Sequence, residues 1–102
     1  MITIEQIKEI VTEYFSQPVE LLNKVSKKRE IVQSRQIAMF FSKKLTRHSL
    51  ATIGEKIGNQ SHMNVKASIK VANNLIETDK IFEIYINEIE NKLYEYMKNP
   101  EK

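Results

Sequence analysis

The chain has 102 residues, 41% of them hydrophobic, which suits one domain of ordinary size and excludes a multidomain machine. Two Gly and two Pro among abundant Ile, Lys, Glu and Asn fit a few long helices better than many short strands. With no Cys, the chain has no disulfide framework, no thiolate zinc site and no thiol nucleophile. The formal charge of +3 conceals a block: residues 24–70 hold eleven Lys and Arg against two Glu, between two acidic flanks. Charges mixed along the chain would serve solubility, so this segregation points to a polyanion, most often nucleic acid; the bland counterpart is a solvated lysine-rich face. No apolar run approaches the ~18 residues of a membrane span. Glu5 and Glu9 do not suit a signal peptide, so a soluble, cytoplasmic protein is expected.

Taken in chain order, Thr3 and Gln6 form a capping-box pattern, after which Ile4, Ile7, Ile10, Val11, Tyr14 and Phe15 recur at helical spacing. This predicts a first helix ending near Gln17. Pro18 then starts a short helical turn with Val19, Leu21 and Leu22, followed by a basic loop from Lys24 to Arg29. Ile31, Ile37, Ala38, Phe41 and Leu45 predict a longer helix from about Glu30 to Leu45, with Lys43 and Lys44 suited to its C-terminal dipole. Ser49 caps a short helix carrying Leu50, Ile53 and Ile57 and stopping at Gly58. Ser61 caps the next, with Val65, Ser68, Ile69, Ala72, Leu75 and Ile76 as its stripe. Thr78 or Asp79 caps a last helix with Phe82, Tyr85, Ile86, Ile89, Leu93, Tyr96 and Met97, fraying towards Pro100.

A short helix, a glycine turn and a second helix with polar leading residues, over about 49–77, is a helix-turn-helix layout, in which the second helix enters the major groove by its N-terminal end. Gly54 inside the first helix costs about 1 kcal/mol against Ala, so a close approach by the second helix is expected there. The plainer account is that any helical hairpin needs a Gly turn. Glu83, Glu88, Glu90 and Glu95 would be repelled by phosphate, which places the last helix away from DNA as a brace or a protein-binding surface.

The run Arg35-Gln-Ile-Ala-Met-Phe-Phe-Ser-Lys-Lys-Leu-Thr-Arg-His-Ser-Leu-Ala-Thr-Ile-Gly54, continued by Gly58, His62 and Val65, resembles the signature of the C-terminal DNA-binding domain of the bacterial replication initiator DnaA. The resemblance extends from about Ile4 to Leu93. It implies a compact all-α domain over residues 1–102 with a Trp repressor-like helix-turn-helix, binding short asymmetric boxes in double-stranded DNA as a monomer. By the same resemblance Lys27 takes the place of the basic loop residue that enters the minor groove, with Lys28 and Arg29 beside it. Lys43 matches a DNA-contacting lysine near the end of the long helix, and Ser49 and Leu50 lie where backbone phosphates are held. The family reads bases from a Gly-Gly-Arg-Asp-His-Thr-Thr-Val stretch, where this chain has Gly58-Asn59-Gln60-Ser61-His62-Met63-Asn64-Val65. Gln60, Ser61, His62, Met63 and Asn64 are therefore the candidate DNA-binding residues of the reading helix, and Lys66 is counted with them. An Arg grips guanine O6 and N7, whereas Gln60 and Asn64 suit adenine, and Met63 offers only an apolar face to a thymine methyl. Ser61 in place of Asp keeps the cap and loses a charge. The scaffold is retained while the reading residues are changed, so either the sequence preference has shifted or specific reading has weakened.

Other chemistry finds little support. No Gly-rich loop followed by Lys and Ser or Thr is present, so the initiator's ATPase has no place in this chain. If the chain is an excised piece, further domains supply that activity; an opening Met followed at once by a helix, with altered base readers, tilts the expectation towards a stand-alone relative able to occupy or titrate sites. His48 and His62 lack a second ligand at helical spacing, which argues against a metal, and neither a Ser-His-Asp set nor paired carboxylates stand out; no cofactor and no enzyme activity are expected. The rival reading is a protein-interaction module on the same fold, using Tyr94, Tyr96 and the acidic last helix. A membrane-surface role ranks third, because the cations are scattered over several helices.

Overall fold

The computed structural model describes residues 2–24 and 26–99, and among these every regular element is helical. They are α1 (Ile4–Tyr14), a 3-10 helix (Val19–Asn23), α2 (Arg29–Leu45), α3 (Leu50–Lys56), α4 (His62–Thr78) and α5 (Lys80–Lys98). The all-α class expected from composition is what forms, and no helix among the described residues is long and apolar enough to cross a membrane.

Helix α1 starts at a complete capping box: the Gln6 amide donates to Thr3 Oγ1 at 3.1 Å, and the Thr3 amide donates to Gln6 Oε1 at 2.9 Å. It stops at Tyr14, a turn short of Gln17, because Ser16 adopts φ 55°. There the Gln17 amide donates to the Thr12 carbonyl and the Ser16 amide to the Glu13 carbonyl, the paired bonds of a Schellman turn made without glycine. Pro18 then leads into the 3-10 helix, whose Leu22 is fully buried.

Helix α2 is the axis of the molecule and touches α1, the 3-10 helix, α3 and α4. Its buried residues Ile31, Ser34, Ile37, Ala38, Met39, Phe41 and Ser42 extend beyond the narrow stripe read from the sequence, as a helix covered on several sides requires. It begins at Arg29, so the basic loop is one residue shorter than expected. The outer brace is α5, which lays Phe82, Ile86, Ile89 and Leu93 against α1 and α4. Tyr14, Phe15 and Tyr85 pack edge to face at 5.0–6.0 Å where α1 ends against it, and the Tyr14 hydroxyl donates to Glu88. Nearer the chain ends, Gln6 Nε2 donates to the Tyr96 hydroxyl at 2.6 Å. Of the two candidate caps for α5, Asp79 serves: its Oδ1 accepts from the amides of Ile81 and Phe82, whereas Thr78 bonds back to Asn74. A single residue thus joins α4 to α5.

Candidate nucleic-acid interface

The helix-turn-helix occupies α3 and α4. Ser49 Oγ accepts from the Thr52 amide at 3.2 Å, and Ser61 Oγ accepts from the Asn64 amide at 3.2 Å, so both expected caps form. Gly58 takes φ 82° and Asn59 follows at φ 51°, which turns the chain through two consecutive left-handed residues. The Gln60 amide then donates to the Gly54 carbonyl at 2.8 Å. A methyl group at Gly54 would overlap the Gln60 carbonyl oxygen and lie 3.0 Å from Val65 Cγ2. The close approach expected at Gly54 is therefore real, although its nearest partner is the turn and only then the reading helix. Leu50, Ile53, Ile57 and Val65 anchor the unit against the core.

With Val65 and Ala72 buried, the first turn of α4 is left in solvent. Ser61, His62, Met63, Asn64 and Lys66 are all exposed, Met63 to 61% despite its apolar side chain. Gln60 is partly covered. Gln60 and Asn64, expected to address neighbouring base pairs, are bonded to each other: Asn64 Nδ2 donates to Gln60 Oε1 at 3.0 Å, and Gln60 Nε2 donates to the Gly58 carbonyl at 3.0 Å. That chain fixes the sense of the Asn64 carboxamide while leaving its oxygen and one N–H for a base edge.

The remaining candidates flank this helix. Lys27 and Lys28 are exposed in the loop, and Arg29, expected with them, stands in the first turn of α2. Lys27 and Arg29 line an open groove whose other wall is Val71 and Leu75 on the far half of α4 and Asp79 at the junction with α5. The two lysines that close α2 differ sharply. Lys44 bonds Glu90 at 2.5 Å, which holds its ammonium above the ordinary value, whereas Lys43 is exposed and has no carboxylate partner among the described residues. Ser49 is exposed and Leu50 half-buried at the start of α3.

Sequence reasoning gave no role to two cations that lie beneath this surface. Arg35 Nε donates to the Leu22 carbonyl at 3.3 Å and its Nη2 to the Lys24 carbonyl at 2.8 Å, closing the basic loop onto α2. Lys8 is buried, with Nζ donating to the Lys56 carbonyl at 2.6 Å and to Asn23 Oδ1 at 3.2 Å. Burial pushes both groups below their ordinary values; at Lys8 the nearby Glu5 opposes that shift and Lys56 adds to it. Lys8 was detectable, since it falls at i+4 on the face marked by Ile4, Ile7 and Val11, where an apolar residue belongs. Tyr96, assigned to the rival protein-binding surface, is half-buried and bonded to Gln6, and Glu88 and Glu90 are engaged by Tyr14 and Lys44. No group of three or more potential metal ligands occurs among the described residues.

The sequence of this chain matches known proteins. The bacterial DnaA protein helix-turn-helix family matches residues 4–71. The chromosomal replication initiator protein DnaA of Flavobacterium psychrophilum is 41% identical over 92 residues, which is 90% of this chain and 19% of that protein. Its counterpart in Bacteroides thetaiotaomicron is 38% identical over 92 residues, 90% of this chain and 20% of that one, and the Wolbachia pipientis protein is 38% identical over 88 residues, 86% and 19%. The chain thus spans about one fifth of the length of these curated relatives. The family match covers α1, the 3-10 helix, α2, α3 and α4 as far as Val71, so that it includes the turn and the exposed start of the second helix, and the chain belongs to the bacterial DnaA helix-turn-helix family, as an all-α DNA-binding domain.

Proposed function

We propose that this domain binds boxes in double-stranded DNA as a monomer, related to the boxes of chromosomal replication initiation but with a changed base preference. The start of α4 enters the major groove and the Lys27 loop the adjacent minor groove; Ser49, Leu50, Lys43 and Lys66 meet phosphates. One observation carries this reading. The first turn of α4 exposes His62, Met63 and Asn64 together on a helix start fixed by the Ser61 cap, a left-handed turn and the Gly54 contact. Asn64 is the base reader best prepared: its amide, oriented by Gln60, matches adenine N6 and N7, and Met63 can cover a thymine methyl. Where an Arg-bearing motif favours guanine, this chain prefers A·T.

The test has two arms. Binding to random duplex DNA should weaken with salt at a log-log slope of roughly −4 to −5, for about four to six phosphates neutralised. Selection from a random pool should return A·T at the Asn64 position. Gln60→Arg, Ser61→Asp, Met63→Thr and Asn64→Thr together should raise affinity for an initiator box more than for random DNA. Equal selectivity of parent and restored variant would refute the changed preference. A flat salt response would refute DNA binding itself and favour the protein-interaction reading, for which α5 still exposes Ile81, Ile84, Tyr94 and Met97.

A further inference from the structure

We infer that Lys8 and Arg35 are positioning residues which lock the basic loop and the helix-turn-helix turn into one rigid unit, so that the two elements meet two grooves at a fixed separation. The inference rests on the DNA-binding reading above for its purpose, but not for its geometry. Between the start of the loop and the turn lies a continuous polar junction. Lys8 Nζ reaches from α1 to the last carbonyl of α3, that of Lys56, and to Asn23 Oδ1 at the end of the 3-10 helix. The same Asn23 oxygen accepts from the Gly58 amide at 3.4 Å. Gly58 in turn sits on the loop anchor: a Cβ there would lie 2.8 Å from Arg35 Nε and 3.0 Å from the Leu22 carbonyl oxygen. Arg35 grips the Leu22 and Lys24 carbonyls, on either side of Asn23.

Two cations, one amide and one glycine therefore tie residues 22–24, which lead into the loop, to residues 56–58, which form the turn. An apolar contact would slide; these bonds are directional and converge on carbonyl oxygens, so they specify distance and angle. Their chemistry is also unusual for mere stability. A buried ammonium carries a desolvation cost that a methionine would not, so a cation at this position is better explained by what it holds in place.

The absence of Cys makes the test direct. Spin labels at Lys27→Cys and Lys66→Cys report the separation of loop and reading helix in the free protein. The parent should give one narrow distance distribution, and Lys8→Met and Arg35→Met should each broaden it or add a second population while the helical circular dichroism and cooperative melting persist. On DNA, Lys27→Ala should cost the parent about five-fold in affinity and the Arg35→Met protein less than about two-fold, because an unanchored loop no longer delivers its lysine. If either methionine variant fails to melt cooperatively, Lys8→Gln and Arg35→Lys, which keep a donor but fewer bonds, take its place. An unchanged narrow distribution in folded variants at both positions overturns the inference, whatever the DNA does. A parent that fails to bind DNA overturns the proposed function instead, and the distances still decide the junction.

Discussion

At the residue scale, the interface separates free cations from occupied ones. Lys44 is tied to Glu90, Arg35 to backbone carbonyls and Lys8 to the α3 terminus, which leaves Lys27, Lys28, Arg29, Lys43 and Lys66 exposed and without a carboxylate partner among the described residues. Lys27→Ala should weaken binding to every sequence and more so to A·T-rich sites, whose narrow minor grooves concentrate negative potential. Lys98→Ala, a change at another exposed lysine, on α5, is the comparison, and equal affinities of the two variants would count against a minor-groove role. Tyr14 offers a test of the brace. Burial first, then the hydrogen bond to Glu88, raises its hydroxyl from 10.0 to about 12. The folded value lies above the unfolded one, so the stabilisation is complete below pH 10 and is lost as pH rises through about 12. Tyrosinate absorbance should show one late titration that Tyr14→Phe removes, and the alkaline melting curve of that variant should fall less steeply than the parent's.

At the scale of elements, the helices were legible where caps and periodicity agreed. Thr3, Ser49 and Ser61 cap as their sequence patterns indicate, and Gly58 supplies the left-handed turn. The end of α1 was not, because Ser16 adopts a conformation usually given to glycine and nothing in its side chain announces that. The full burial of α2 was hidden too, since periodicity records one face and α2 is covered from several. At the interface, residue types named the exposed readers, whereas the Gln60–Asn64 bond and the Arg35 clamp depend on tertiary placement. Gly54 makes the sharpest prediction for an element. Alanine there improves helix propensity by about 1 kcal/mol, yet its methyl group overlaps a backbone carbonyl rather than a yielding side chain. Gly54→Ala should therefore lower unfolding free energy by roughly 1–3 kcal/mol in chemical denaturation, and unchanged stability would mean that the turn relaxes freely.

At the scale of the whole molecule, α2 forms the axis, α5 supports the side formed by α1 and α4, and the binding elements sit on short connections between buried segments. The acidic residues of α5 help build that support through Tyr14 and Lys44. The Gln6–Tyr96 bond has a topological consequence. It brings together residues ninety positions apart, so the described chain enters and leaves the fold near one point. Such a domain tolerates a change in where its polypeptide begins. A circular permutant that joins the present ends through a short flexible linker and opens between Arg47 and His48, both exposed, should keep its helical content and a single cooperative melt. Loss of cooperative melting in that permutant would show that the continuity of the chain between Arg47 and His48, and not only the final contacts, is needed by this fold.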